Sequence, residues 1–357
     1  MGLSIFARWA TQWQNHGDSP VTPAWPCAPW VEECRNHLHF ALQVFPNDTK
    51  NEPARHLLAA GRLAETLGFD AFFLGDHPAW AVECWLHMAA LAVTTSRIRL
   101  GINVACAGYR HPVMTARLAA DLDNLSNGRL ILGLGIGWDA NEFANLGLPF
   151  LPVGERQAAL EEALAIIRGV WGDEPFTFHG RYHQTTNAHI APPPLQRPAP
   201  PLMIAGGGER VTLRQVAHFA DACNLVMFGT GLLRAANSID EIRHKLRVLR
   251  QHCEEIGRPF DTLLRTYTTG WLILAEDEAS VQAKLHHYFP EGLERRYSGP
   301  WSSFVFAGRP EQAASHYLAL AAAGIQYFIV ETLDAADVET IELLAKQVIP
   351  AVKRLAT

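Results

Sequence analysis

LSNGRLILGLGIGWDANEF, residues 125–143, is the stretch whose reading decides the fold. Ser126-Asn127-Gly128 is turn chemistry that ends the helical pattern before it. Arg129–Leu134 is a short apolar run, long enough for one buried strand and too short for a helix. Gly133, Gly135 and Gly137 follow at alternate positions, leaving one face bare at the strand's C-terminal end. Bare backbone there admits either a flat ring system or the close packing of a barrel corner, and both readings stand. Trp138, Asp139, Asn141 and Glu142 crowd the same end. A dinucleotide fingerprint is excluded, because the GxGxxG spacing from Gly133 requires glycine where the chain has Trp138.

The same rhythm extends in both directions. Upstream, His37–Phe45, Asp70–Leu74 and Ile98–Val104 read as strands. Pro53–Leu67, Glu83–Thr94 and Pro112–Leu125 read as helices, the first closed by Gly68 and the last opened by its proline. Downstream, strands are expected at Leu202–Ala205, Asp221–Val226, Thr266–Leu274 and Gln326–Glu331. Helices are expected at Glu155–Trp171, Glu209–Phe219, Asp240–Ile256, Asp277–His287, Pro310–Ala323 and Val338–Arg354. Gly172–Pro201, with its proline clusters, is an extended insertion, and Phe289–Ala307 reads as irregular. Strands alternating with helices imply parallel pairing with right-handed crossovers. Eight such units close a (β/α)8 TIM barrel, an α/β fold with a mid-chain insertion. An open doubly wound sheet is the alternative. Residues 37–357 form the barrel domain. Residues 1–36 are rich in Trp and Pro without a sustained apolar period, and read as a poorly ordered N-terminal extension that lacks the pattern of a signal peptide.

The chain has 357 residues, 48% of them apolar, and a net charge of −6. That is ample material for a large core, and it gives no basic footprint for nucleic acid or an anionic membrane. No window reaches the length of apolar chain that spans a bilayer. Six cysteines without a C-x-x-C pair read as reduced thiols of a cytoplasmic protein. Sixteen histidines show no zinc-ligand spacing, so no metal site is expected.

In a barrel of this kind the site lies at the C-terminal strand ends. Those ends carry Asp76-His77, Asn103, the segment Gly135 to Glu142, Gly206 to Arg210, Thr268-Thr269 and Glu331. Gly206-Gly207-Gly208-Glu209-Arg210 follows a strand and opens a helix. Free N–H groups and the helix dipole there suit a phosphate, with Arg210 as a charge-assisted clamp; an ordinary glycine-rich turn is the bland alternative. His77, fixed between Asp76 and Pro78, suits general acid–base work or a hydrogen bond to a bound ring, although taken singly it reads more readily as structural. Trp80, Trp85 and Trp138 either wall a flat ligand or simply pack the rim. No Ser-His-Asp order, nucleophile elbow or phosphate-binding lysine loop is present, so cofactor-driven chemistry ranks above nucleophilic hydrolysis.

Several ordered blocks carry a family resemblance. They are AETLGFDAFFLGDH (64–77), TSRIRLG (95–101), RHPVMTARLAADLDNLSNGRLILGLGIGW (110–138), GER (154–156), FHGRYH (178–183), PLMIAGGGER (201–210) and ADACN (220–224). On these the chain resembles the luciferase-like monooxygenase superfamily, and within it the coenzyme F420-dependent oxidoreductases. The resemblance implies a barrel, usually a homodimer, holding a flavin or deazaflavin at its C-terminal mouth. It assigns a cofactor contact to Asp76 and places His77, the catalytic candidate, near the reacting ring. It implies a non-proline cis peptide at Asn103-Val104 against the central ring. Further cofactor contacts fall on Cys106, Ile136, Gly137, Trp138 and Asn141, and the phosphate site on Gly206, Gly207, Gly208, Glu209, Arg210 and Val211. Arg110 and Arg214 are candidates for the cofactor's acidic tail. Trp138 stands where sugar-phosphate dehydrogenases of the branch carry a glutamate proton acceptor, which argues for a more apolar substrate. Cys106 replaces a commonly hydroxylated position. The expected function is hydride transfer between coenzyme F420 and a small organic substrate. The alternative is an FMN-dependent monooxygenase using O2 and reduced flavin from a partner reductase. A non-catalytic flavin-binding relative is a third reading, opposed by the presence of both Asp76-His77 and the glycine loop.

Overall fold

The computed structural model describes residues 25, 27–44, 53–227, 236–293 and 304–356. In chain order the strands are β1 (His39–Val44), β2 (Ala71–Leu74), β3 (Arg99–Cys106), β4 (Leu130–Gly135), β5 (Phe176–His179), β6 (Gln184–Ala188), β7 (Leu202–Ala205), β8 (Ala222–Val226), β9 (Leu264–Leu274), β10 (Val305–Gly308) and β11 (Tyr327–Thr332). Eight of them close a ring, β1-β2-β3-β4-β7-β8-β9-β11, with β11 pairing back to β1 and every pair parallel. Helices cover the outer face, so β2 and β4 are buried along their whole length and read as unbroken apolar runs. This is the TIM barrel that the alternation predicts.

The helices are α1 (Pro29–Cys34), α2 (Pro53–Leu67), α3 (Cys84–Thr94), α4 (Pro112–Leu125), α5 (Ala140–Asn145), α6 (Val153–Val170), α7 (Thr212–Phe219), α8 (Ile239–Glu255), α9 (Glu278–Tyr288), α10 (Pro310–Ala322), α11 (Val338–Leu343) and α12 (Ile349–Leu355). α2 and α4 have the predicted bounds. The closing helix is not continuous: Leu344–Val348 is a π turn between α11 and α12. Pro350, near the start of α12, has no N–H to continue the regular ladder.

Three expectations need correction. β10 adds an unanticipated parallel strand on the edge of β9, inside the segment read as irregular. The Pro-rich insertion contains an antiparallel hairpin, β5–β6. Most importantly, the stretch read as a poorly ordered extension holds α1. Trp30, Val31 and Cys34 are buried among Ala41, Ala71, Phe73, Ile131 and Tyr327, where the strands begin. The Trp30 and Tyr327 rings meet edge to face at 5.3 Å. A six-residue helix has no stability of its own, and it forms here because the inner face of the barrel supplies its apolar partner. Residues 1–24 and Pro26, the rest of that expectation, lie outside the described residues. Among the described residues no helix is long and apolar enough to cross a membrane.

Candidate functional site

At the C-terminal ends of the strands lies a cavity of about 310 Å³. It is lined by nine of the catalytic and cofactor-contact candidates that the resemblance assigns: Asp76, His77, Asn103, Val104, Cys106, Ile136, Gly137, Trp138 and Gly206. Trp80, Trp271 and Phe304 add aromatic walls, and among its described lining residues there is no Lys or Arg. Its size and its mixture of flat apolar walls with few polar groups are those of a ligand site.

The alternate glycines serve packing, while Gly135 and Gly137 also line the cavity, so the two readings are not exclusive. The Asn103-Val104 peptide is cis, as the resemblance implies, and the β3–β4 register shifts between Ile102 and Ala105. A Cβ on Gly135 would stand 2.6 Å from a Val104 methyl, and one on Gly133 would stand 2.3 Å from the Ile102 carbonyl oxygen. The glycines therefore make room for the irregular β3, which in turn presents Val104 to the cavity. Gly137 (φ 72°) is similarly closed in by Cys106 and Phe143. Arg156 of the GER block holds this turn by donating to the carbonyls of Gly137, Ile136 and Leu151.

Asp76 is 3% exposed and both its oxygens are already engaged. Arg110 clamps it at 2.6 and 3.0 Å, and the Cys106 N–H donates to Oδ2 at 3.1 Å. Arg110 also reaches Glu83 at 3.0 Å. Asp76, Glu83 and Cys84 could otherwise offer three ligand atoms to a cation, and the guanidinium occupies that role. Arg110 is thus an internal strut that braces Asp76 and Glu83. The Cys106 thiol, pushed up to about 12 by burial, is neutral.

His77 is the site's mobile-proton candidate, and its orientation comes from a residue that the sequence reading left unassigned. Glu142, with a fully buried side chain, lies 2.9 Å from His77 Nδ1. The same Oε2 accepts from the Tyr109 hydroxyl at 2.6 Å. Burial pushes the Glu142 carboxyl up, but hydrogen bonds from His77, Tyr109 and the Ala79 N–H outweigh it and hold the group below its ordinary value. An ionised carboxylate only accepts, so His77 carries its proton on Nδ1, and Nε2 is the nitrogen that can exchange one. The His77 ring stacks on Trp80 at 4.1 Å and meets Trp138 edge-on at 6.1 Å. Asn141, predicted as a contact, is exposed and does not line the cavity. One position along α5 the side chain turns inward, and Glu142 reaches His77 and Tyr109 rather than the cavity itself.

Below the cavity runs a hydrogen-bonded polar belt. Asn103 Nδ2 donates to Gln43 Oε1 (2.7 Å) and Thr268 Oγ1 (3.0 Å), while its oxygen accepts from Asn224 Nδ2 at 2.9 Å. Gln43 and Glu331 are register partners across β1–β11, and Glu331 and Trp271 across β11–β9. The three side chains therefore share one level of the inner wall. Burial lifts the Glu331 carboxyl to about 8, against a downward pull from the neighbouring Trp271 and Gln43 side chains. Gln43 had a readable signal, as the only amide in the apolar run of the first strand.

The glycine loop lies at the margin. Only Gly206 lines the cavity, and Gly207, Gly208, Glu209, Arg210 and Val211 lie off its described wall at the start of α7. Val211 provides no side-chain cap, so the first amides of α7 are left to other partners. Arg210 is exposed. Buried Lys245 of α8 reaches the loop instead, donating to the Gly207 carbonyl at 2.8 Å and pairing with Glu209 at 3.5 Å. Its signal was a lone lysine on the buried face of α8, beside Ile242, Leu246 and Leu249.

This combination of closed barrel, irregular β3 and histidine-bearing mouth defines an α/β barrel enzyme that works on a ligand held at its C-terminal face. The profile of the luciferase-like monooxygenase family matches residues 37–345, and the chain belongs to that family. It is an oxidoreductase of that family. It is 26% identical over 326 residues to the FMNH(2)-dependent dimethylsulfone monooxygenase of Pseudomonas fluorescens (strain Pf0-1), covering 82% of this chain and 86% of that one. It is 37% identical over 172 residues to the F420-dependent glucose-6-phosphate dehydrogenase of Beutenbergia cavernae, covering 44% of this chain and 48% of that one. Among solved structures, the coenzyme F420-dependent tetrahydromethanopterin reductase of Methanopyrus kandleri superposes with a TM-score of 0.71. That match has 20% identity and covers 89% of this chain and all (100%) of the other, a likeness of fold. The relatives' names thus include both flavin and deazaflavin cofactors.

Proposed function

We propose that this chain is a coenzyme F420-dependent oxidoreductase that transfers hydride to or from a small uncharged organic substrate. The observation that carries the reading is His77 held by ionised Glu142 at the rim of a cavity with Val104 on one wall. When bound, the deazaflavin supplies a two-electron hydride carrier at its ring. Val104, Ile136 and Gly206 offer that ring an apolar, side-chain-poor surface, and the start of α7 above Lys245 suits its phosphate. His77 holds or moves a proton at the cavity rim through Nε2, on the cofactor's side, with Glu142 balancing its charge. Trp138 removes the carboxylate that a sugar-phosphate dehydrogenase would use, and the described cavity lining offers no cation to a charged substrate.

The FMN-dependent monooxygenase reading has one specific support: the dimethylsulfone monooxygenase matches most of the chain, whereas the F420-dependent dehydrogenase matches less than half. Equilibrium binding of F420 and of FMN, followed by tryptophan fluorescence, separates the two. Trp80, Trp138 and Trp271 line the cavity and report on its occupancy. Tighter binding of F420 is expected. A clear preference for FMN overturns the hydride-transfer reading and directs the search to a reductase partner and an oxygen-consuming reaction.

A further inference from the structure

The cavity holds a second carboxyl that the His77–Glu142 pair does not use. Glu331 is 5% exposed, sits at the end of the last barrel strand and lines the same cavity as His77. Its register partners place Gln43 on one side and Trp271 on the other. Gln43 Oε1 is taken by Asn103, which turns the Gln43 amide N–H groups towards the Glu331 carboxyl. Asn103 is in turn fixed by Thr268 and Asn224, so the carboxyl rests on a braced network. No Lys or Arg lines the cavity among the described residues, and none is within the set of groups that act on this carboxyl. A carboxyl held in this way, with no cation among the described lining residues, keeps its proton near neutral pH and has it available at the cavity wall.

We propose that Glu331 is the proton-transfer group for the substrate, and that the substrate is an uncharged carbonyl compound or the corresponding alcohol. This rests on the hydride-transfer reading above. In the reducing direction, a bound reduced deazaflavin would supply the hydride that forms the new C–H bond at the carbonyl carbon. The C=O π pair moves to oxygen, and the Glu331 O–H bond breaks as its proton passes to that oxygen. The substrate gains the two electrons that a bound reduced deazaflavin would give up, the ring N–H proton left on that cofactor would pass through His77 to water, and the Glu331 carboxylate is reprotonated from water between turnovers. In the oxidising direction the carboxylate takes the alcohol proton as the hydride leaves carbon. The arrangement separates two tasks: His77 attends the rim of the cavity from the loop after β2, and Glu331 serves the substrate oxygen from β11.

The test uses the full chain with Glu331→Gln, which keeps the shape of the side chain and removes its acid, and Glu331→Asp as the conservative variant. Infrared difference spectra of the wild type between about pH 6 and about pH 10 are expected to show a protonated carboxyl band that Glu331→Gln lacks. Glu331→Gln is expected to bind F420 as the wild type does, while kcat for reduction of an uncharged ketone falls by about 100-fold or more. Glu331→Asp is expected to recover part of that loss. Wild-type turnover in Glu331→Gln, or no such band in the wild type, overturns the assignment. Failure of the wild type to bind F420 in the fluorescence assay overturns the hydride-transfer reading instead, so the two failures are told apart. A common loss of F420 binding in both variants marks Glu331 as a purely structural group and also overturns the proposal.

Discussion

Replacing Glu331 by glutamine also isolates what it costs to place this carboxyl in the barrel wall. Burial lifts the group from 4.5 to about 8. The folded chain therefore binds this proton more tightly than the unfolded chain. The stability contributed by the protonated side chain is fully present below about pH 4.5 and is lost as the pH rises towards about 8, through the range where only the unfolded chain ionises. Each tenfold difference in proton affinity is worth about 1.4 kcal/mol. The gap between 4.5 and about 8 spans about 3.5 decades, which sets a ceiling of about 5 kcal/mol. Relaxation around the ionised group reduces the observed value, so about 2–5 kcal/mol is the working range. Urea unfolding of wild type and Glu331→Gln at about pH 4.5 and about pH 9 reads this directly. The variant is expected to gain stability relative to the wild type by that amount between the two conditions. A difference between the two proteins that stays constant within about 0.5 kcal/mol would refute the argument that this carboxyl is buried and protonated.

His77→Ala is expected to lower turnover by about 10²–10⁴-fold with cofactor binding retained, and Glu142→Gln by a smaller factor, because it weakens orientation and charge without removing the imidazole. Undiminished turnover in either variant removes the proton-handling role of the pair. Gly207→Asp places a carboxylate at the start of α7 and should weaken cofactor affinity at least about tenfold, or about 1.4 kcal/mol; unchanged affinity means that the phosphate binds elsewhere. Trp30→Ala should cost about 3–5 kcal/mol of stability, as for other buried large aromatics. A loss below about 1 kcal/mol in urea unfolding shows that α1 adds little to barrel closure.

The barrel was legible because its signals are local. Short apolar runs, glycine and proline punctuation, and helices with caps of known type repeat along the chain, and none of these requires knowing what the run packs against. The mouth was legible for the same reason, since a strand's C-terminal end can be located from sequence alone. Individual roles at that mouth were less so. Asp76 read as an available carboxylate, but Arg110, 34 residues away along the chain, occupies it. Glu142 and Asn141 are adjacent polar residues on one short helix, and only the packing of α5 decides which of them faces His77.

What the sequence by itself determined is the number and order of strand–helix units, the family, and the set of strand ends from which the site is built, because periodicity and motif spacing depend on near neighbours. Tertiary structure alone decided that Val104 fills the space left by the glycines and that Lys245 braces the glycine loop. It also decided that Trp30 closes the base of the barrel, and that the Glu331 side chain is buried in the barrel wall. Each of these depends on burial or on a partner distant along the chain, and burial is a property of the folded surface that no local spacing encodes.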